Sequence, residues 1–214
     1  MENKVKKIIK ETTKEIWRAP LKASMRKRLK NHSFSLISSN CIGGILYHDV
    51  GEQFRTPTIN LIIPQFVTFA ENLRYYLQVE PVAGERTKEG YPVCCLDGLT
   101  VIGVHYDSSE SLIRDWKRRA QRVNYENIFL IATDNFIHNQ EEQERFDRLA
   151  YPKVCFTSCE NTRYPWQVYL PEFQGQSHVG DTLRYCNAWG LRIFEKHFDC
   201  VEWLNEYEST DCKP

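Results

Sequence analysis

Apolar positions along the chain fall into runs of two kinds, one recurring at helical intervals and one continuous over a few residues, as in a buried strand. Val5, Ile8, Ile9, Thr12 and Ile16 keep helical spacing until Pro20 interrupts it, and Leu21, Met25 and Leu29 resume it with basic residues between. Residues 34–39 read as a short buried strand, followed by Asn40, Cys41, the pair Gly43-Gly44 and a helical stretch over 45–50. A second apolar run, 58–63, is closed by Pro64. Phe66, Phe69, Leu73, Tyr76 and Leu77 then predict one helix over 65–78.

In the second half, strand-like runs at 93–96 and 99–105 flank Asp97-Gly98, a hairpin signal. Ser108 and Ser109 can cap a following helix whose apolar face is Leu112, Ile113, Trp116, Ala120 and Val123, opposite Arg114, Lys117, Arg118, Arg119 and Arg122. Strands are predicted at 127–133, 153–157 and 166–170, and helices at 140–149, 182–197 and 201–207. This alternation predicts an α/β fold: a three-layer α/β/α sandwich around a mostly parallel or mixed sheet of about five strands. It divides the chain into a basic amphipathic N-terminal arm, 1–30, and a single α/β domain, 31–214.

The chain has 214 residues, 42% of them hydrophobic and 26% charged, which excludes a disordered, collagen-like or coiled-coil protein. No apolar stretch is long enough for a membrane-spanning helix, and no secretory signal is apparent. A cytoplasmic protein is expected. Its eight cysteines then read as free thiols, and with no CxxC or HxxxH pair no metal site is expected.

Formal charge is zero, yet the first thirty residues hold eleven Lys and Arg against three Glu, a balance of +8 that the remainder offsets. This arm predicts adsorption to an anionic membrane surface, making the protein peripheral on the inner face of the plasma membrane; the alternative is a solvated helix packed on the domain. Nucleic acid is not an expected partner, because the basic residues do not interleave with aromatics and the rest of the chain is acidic.

Reactive groups of α/β sheets concentrate at the carboxyl ends of strands. Cys41 follows the first strand and opens a helix, where free N–H groups lower a thiol's pKa and can cradle an oxyanion, and Gly43 and Gly44 keep that backbone exposed. His105 is the candidate base, with His48 competing, and Asp134 is the candidate orienter, with Asp107 nearer in sequence. Asn40, Gly43, Gly44, Arg118 and Arg119 are candidate substrate-binding residues; for the arginines the competing reading is a solvated helix face. Each catalytic assignment competes with a plain one: Cys41 as a buried small hydrophobe, Asp134 as a helix cap.

The run 34–47 containing Asn40-Cys41-Ile42-Gly43-Gly44, the segment Thr56-Pro57-Thr58-Ile59-Asn60, His105-Tyr106, Trp116 with Arg118-Arg119, and Phe198-Asp199 with Trp203-Leu204-Asn205 together resemble a bacterial family of unknown function labelled exopolysaccharide biosynthesis protein. The resemblance spans about residues 26–205, and departs where that family commonly carries Trp at the position of Ile42. It implies a three-layer sandwich and a role in capsule or exopolysaccharide gene clusters, with some members labelled acetyltransferases. A fainter similarity to bacterial papain-like cysteine peptidases supports Cys41 as nucleophile and His105 as base.

The expected function is thus a cysteine-dependent acyl (acetyl) transferase of bacterial capsule or exopolysaccharide biosynthesis. It would act on a sugar or lipid-linked saccharide acceptor, with no bound cofactor but an acyl-CoA as a conceivable donor. The alternatives are a papain-like thiol hydrolase and a non-enzymatic membrane-surface adaptor that offers Tyr164, Trp166, Tyr169 and Trp189 to glycans. A glycosyltransferase is disfavoured by the lack of a DxD-type carboxylate pair.

Overall fold

The computed structural model describes residues 16–206. Its central strand, β5 (Ile128–Thr133), has no exposed residue. It pairs in parallel with β1 (Ser35–Ser38) on one side and β6 (Lys153–Thr157) on the other, and β6 pairs with β7 (Gln167–Tyr169), giving a four-stranded parallel sheet in the order β1-β5-β6-β7. A strand covered on both faces is mostly apolar, and β5 (IFLIAT) is apolar up to Thr133.

Alternate side chains of these strands feed two separate cores. Ile37, Leu130, Ala132 and Cys155 face a cluster built with Phe66 and Phe69 of α3 (Phe66–Glu71), Leu73 of α4 (Leu73–Tyr76), Leu112 and Trp116 of α5 (Ser109–Ala120) and Phe146 of α6 (Gln140–Asp147). Leu36, Phe129, Ile131, Val154 and Phe156 face the other. That second cluster takes Met25 of α1 (Ala19–Arg28), Leu46 and Tyr47 of α2 (Ile42–Val50), Phe194 of α7 (Ile193–His197) and Val201 and Leu204 of α8 (Cys200–Asn205). Helices therefore cover both faces. Each fully buried Leu, Ile or Phe contributes about 1.5–3 kcal/mol.

A second, antiparallel sheet of β2 (Val82–Gly84), β3 (Val93–Leu96) and β4 (Leu99–Ile102) packs beside the first core. Its β3–β4 hairpin turns on Asp97 (φ 46°) and Gly98 (φ 84°), the two left-handed residues a tight primed turn requires.

The α/β class and the sandwich layering predicted from the sequence are present, and four details differ. The strands divide into two sheets instead of one sheet of five. Run 58–63 is not a strand: only Ile62 bridges, antiparallel to Ile102. The helix expected over 65–78 breaks at Asn72 into α3 and α4. Of 182–197 only Ile193–His197 is helical, because Gly190 (φ 76°) turns the chain and Tyr185 bridges to Arg192.

The described part of the basic arm belongs to the domain. Met25 and Leu29 sit in the second core, α1 packs on α2, and Arg18 is fully buried. The boundary drawn at residue 30 is therefore not a boundary of packing; Val5, Ile8, Ile9 and Thr12 of the arm lie outside the described residues.

Candidate active site at the carboxyl edge of the parallel sheet

Strand β1 ends in Ser38-Ser39-Asn40, and Cys41 is the residue from which α2 departs. This turn is tightly hydrogen bonded. Ser38 Oγ donates to Asn40 O at 2.7 Å and accepts from the Gly43 N–H at 3.2 Å, while Asn40 Oδ1 accepts from the Ile42 N–H at 3.0 Å. Asn40 also reaches across to β5, its Nδ2 donating to Thr133 Oγ1 at 3.4 Å. A Cβ on Gly43 would lie 2.7 Å from Ser38 Cβ, so only glycine lets helix and strand approach this closely. Tyr47 fastens α2 from the other end: its hydroxyl donates to Phe34 O and accepts from the Leu36 N–H, each at 3.1 Å.

The Cys41 thiol is half-buried and has no hydrogen-bond partner among the described residues. Burial pushes it above the ordinary thiol value, so it rests protonated. Of the expected oxyanion donors, the Gly43 N–H is already bonded to Ser38 Oγ, and the neighbouring Ile42 N–H is bonded to Asn40 Oδ1. Cys94, at about 12, and Cys155 and Cys200 are pushed up further by burial within the cores.

The run 99–105 predicts His105 at the end of a strand, but β4 stops at Ile102, and His105 stands exposed on the loop between β4 and α5. Its side chain has no hydrogen bond or ion pair among the described residues, but its backbone is well anchored. His105 N–H donates to Asn60 O at 3.3 Å, and Asn60 Oδ1 lies 3.5 Å from where a Cβ on Gly44 would be. The next residue, Tyr106, donates its hydroxyl to Ile59 O at 3.2 Å and accepts from Arg119 at 2.7 Å. Asn60, held in the left-handed region at φ 61°, thus lies between Gly44 of α2 and the histidine loop.

Arg119 does not bind substrate in this arrangement. It is buried, pairs with Asp115 at 3.0 Å and lies 5.2 Å from the Phe54 ring centroid, so it braces the loop that carries His105. Arg118 pairs with the same Asp115 at 2.9 Å. Both guanidiniums thus share one carboxylate, Arg119 buried and Arg118 half-exposed.

Asp134 does not orient His105. Its Oδ2 accepts from the Ser158 N–H (2.8 Å), Ser158 Oγ (3.1 Å) and Thr157 Oγ1 (3.2 Å), and its Oδ1 from the Val179 N–H (2.8 Å), binding the ends of β5 and β6 to a distant loop. The alternatives fare no better. His48 lies about 10 Å along the helix axis from Cys41 at 1.5 Å per residue, exposed beside Asp49. Asp107 is exposed, with its carbonyl accepting from Arg86. No group of three His, Cys, Asp or Glu suited to a metal occurs among the described residues.

Residues 12–205 match the family described as domain of unknown function DUF1919. The chain belongs to this DUF1919 family. Its match begins ahead of α1, in keeping with a helix whose side chains complete the second core. The chain is also similar to an uncharacterized protein of Haemophilus influenzae, 29% identical over 200 residues that cover 92% of this chain and 96% of the relative.

Sequence reasoning passed over Asn60 and Tyr106 as site residues although both lie in the quoted motifs. The available signal was an asparagine ending a Pro-containing turn, a residue type that tolerates positive φ. Nothing local marked Arg119 as buried.

Proposed function

We propose that this DUF1919 protein catalyses acyl transfer through Cys41, with His105 as general base, in the assembly of a bacterial surface polysaccharide. One observation carries the reading. A half-exposed thiol stands where a helix leaves the carboxyl end of a parallel strand, and Asn60, which lies beside Gly44 of that helix, accepts the backbone N–H of His105, whose side chain is uncommitted. The resemblance to the exopolysaccharide family supports a sugar hydroxyl as acceptor.

Because the thiol rests protonated, the reaction begins with proton transfer. His105 takes the Cys41 proton as Sγ attacks the acyl carbonyl; the tetrahedral adduct collapses, and the imidazolium returns the proton to the leaving group. The acceptor hydroxyl then loses its proton to His105 as its oxygen attacks the thioester, and the proton returns to Cys41 as the thiol leaves. With water as acceptor the same steps make a thiol hydrolase.

Incubation with p-nitrophenyl acetate and acetyl-CoA, with and without saccharide acceptors, tests this. Acetyl should appear on the Cys41 peptide and pass to the acceptor, and Cys41→Ala should abolish both; retained turnover in Cys41→Ala overturns the reading. A non-enzymatic adaptor is the second reading, favoured by the protonated thiol and the occupied N–H groups. Either role fits a cytoplasmic protein at the membrane's inner face; no helix among the described residues is long and apolar enough to cross a membrane.

A further inference from the structure

Away from Cys41 lies a surface that the acyl-transfer reading does not use. Trp17 and Trp189 meet edge to face, ring centroids 5.9 Å apart and planes at 83°. Both are largely in water, 53% and 67% exposed, and Ile16 beside Trp17 is 69% exposed. A soluble chain has reason to bury two tryptophans, and here they are held out.

What holds them is rigid. Arg18, next to Trp17, is fully buried and donates to Gly190 O, next to Trp189, at 2.5 Å. The same guanidinium pairs with Asp49 at 2.6 Å and with Glu195; Arg192 pairs with Asp49 at 2.5 Å, and Glu195 Oε2 accepts from the Arg192 N–H at 2.9 Å. Two chain segments far apart in sequence are thus locked together by buried charge, with one indole projecting from each.

Five lysines against three glutamates precede Ile16 in the sequence, and α1 carries Lys22, Arg26, Lys27 and Arg28 with no acidic residue; Lys22 lies 3.4 Å from Asp49, Arg26 bonds the Asp49 carbonyl and Arg28 pairs with Asp199, while Lys27 is exposed. Tryptophan is the side chain enriched at the membrane–water interface, and basic residues flanking an apolar anchor add attraction to anionic headgroups. A glycan platform would need polar groups aligned beside an open ring face, whereas the edge-to-face contact closes one face of the pair. We infer that Ile16, Trp17 and Trp189 form an interfacial anchor that seats the protein on anionic lipid, assisted by the basic N-terminal segment. This inference stands independently of the chemistry at Cys41.

The test is sedimentation of the full chain with phosphatidylcholine vesicles and with vesicles containing phosphatidylglycerol, alongside tryptophan emission. The expected result is binding to the anionic vesicles with a blue shift, weakened by salt. Trp189→Ala and the double variant Trp17→Ala/Trp189→Ala should lose at least about tenfold in partitioning, with thermal unfolding unchanged in Trp189→Ala as the folding control. Undiminished vesicle binding by the folded variants, absence of binding by the parent chain, or a spectral response to soluble polysaccharide and none to vesicles would each overturn it. Acyl transfer in the absence of lipid is unaffected by any of these outcomes, so failure here is separable from failure at Cys41.

Discussion

Two aspartates, Asp49 and Asp134, stand on opposite sides of one question, namely what a partly enclosed carboxylate does for this fold. Asp49 is surrounded by cations: Arg18 and Arg192 bond to it and Lys22 lies 3.4 Å away. Burial alone would raise its pKa, but the hydrogen bonds and charges of Arg18 and Arg192 outweigh that and hold it below the ordinary carboxylate value. Asp134 is surrounded by neutral donors, two backbone N–H groups and two hydroxyls. The first cluster is closed and ties the N-terminal helix to the C-terminal segment. The second lies at the sheet edge where the candidate chemistry sits, and it organises loops without an ionic lock. The ionic lock and the candidate reactive groups thus lie in different places, Cys41 at the carboxyl end of β1 and His105 on the loop after β4.

The sharpest way to break this contrast is to remove the lock. Asp49→Ala leaves two buried guanidiniums to share the one carboxylate of Glu195 and should cost about 3–5 kcal/mol, read as a loss in denaturant stability. Any remaining folded protein should keep its Cys41 chemistry; a near-neutral result would mean the cluster is solvated and not closed. At the other region Gly43→Ala drives a methyl to 2.7 Å from Ser38 Cβ and should cost about 1–3 kcal/mol, with a larger proportional effect on acyl transfer than on unfolding because it displaces Cys41.

Acid sharpens the contrast. Asp49 and Glu172, the latter drawn down to about 2 by Lys196 and His197 against the effect of burial, have folded-state values below their unfolded ones. The stabilisation from Glu172 is fully present above its unfolded value of 4.5 and is lost as pH falls through about 2, and that from Asp49 is lost in the same direction below the ordinary carboxylate value. Unfolding midpoints across that range should fall in the parent and fall less in Asp49→Asn. Alkylation of Cys41 should move the other way, slow at neutral pH and rising only above the ordinary thiol value, since burial favours the protonated form. Fast labelling at pH 7 would restore the preformed thiolate that the structure argues against. The smallest expected effect on stability is Cys41→Ala, within about 1 kcal/mol, against complete loss of acyl transfer.

Much of the layering was legible in the sequence. The apolar run of β5 predicts a strand, Ser108 predicts the start of α5, whose expected apolar face runs on to Val123 where the helix ends at Ala120, and Asp97-Gly98 predicts its hairpin. The misread elements share a cause. Run 58–63 is as apolar as a strand, but its buried side chains fill the first core and the turn under α2 and form no ladder, and periodicity does not distinguish burial in a core from burial in a sheet. The stretch 182–192 has helical spacing yet is folded by Gly190 and by the contacts of Arg192.

At the site, position along the chain was enough to place Cys41 at a strand end, because strand and turn signals there are local, whereas His105, expected to close a strand, lies on the loop after β4. The partners were not local. Asp134 is engaged by Ser158 and Val179, Arg119 by Tyr106, and Arg18 by Asp49, Glu195 and Gly190. Hydrogen bonds and ion pairs depend on ångström distances between segments as far apart as residues 18 and 195. Patterning by itself determined the sandwich and the strand order's raw material; only the tertiary structure decided which charges are spent on holding it together and which are left for chemistry.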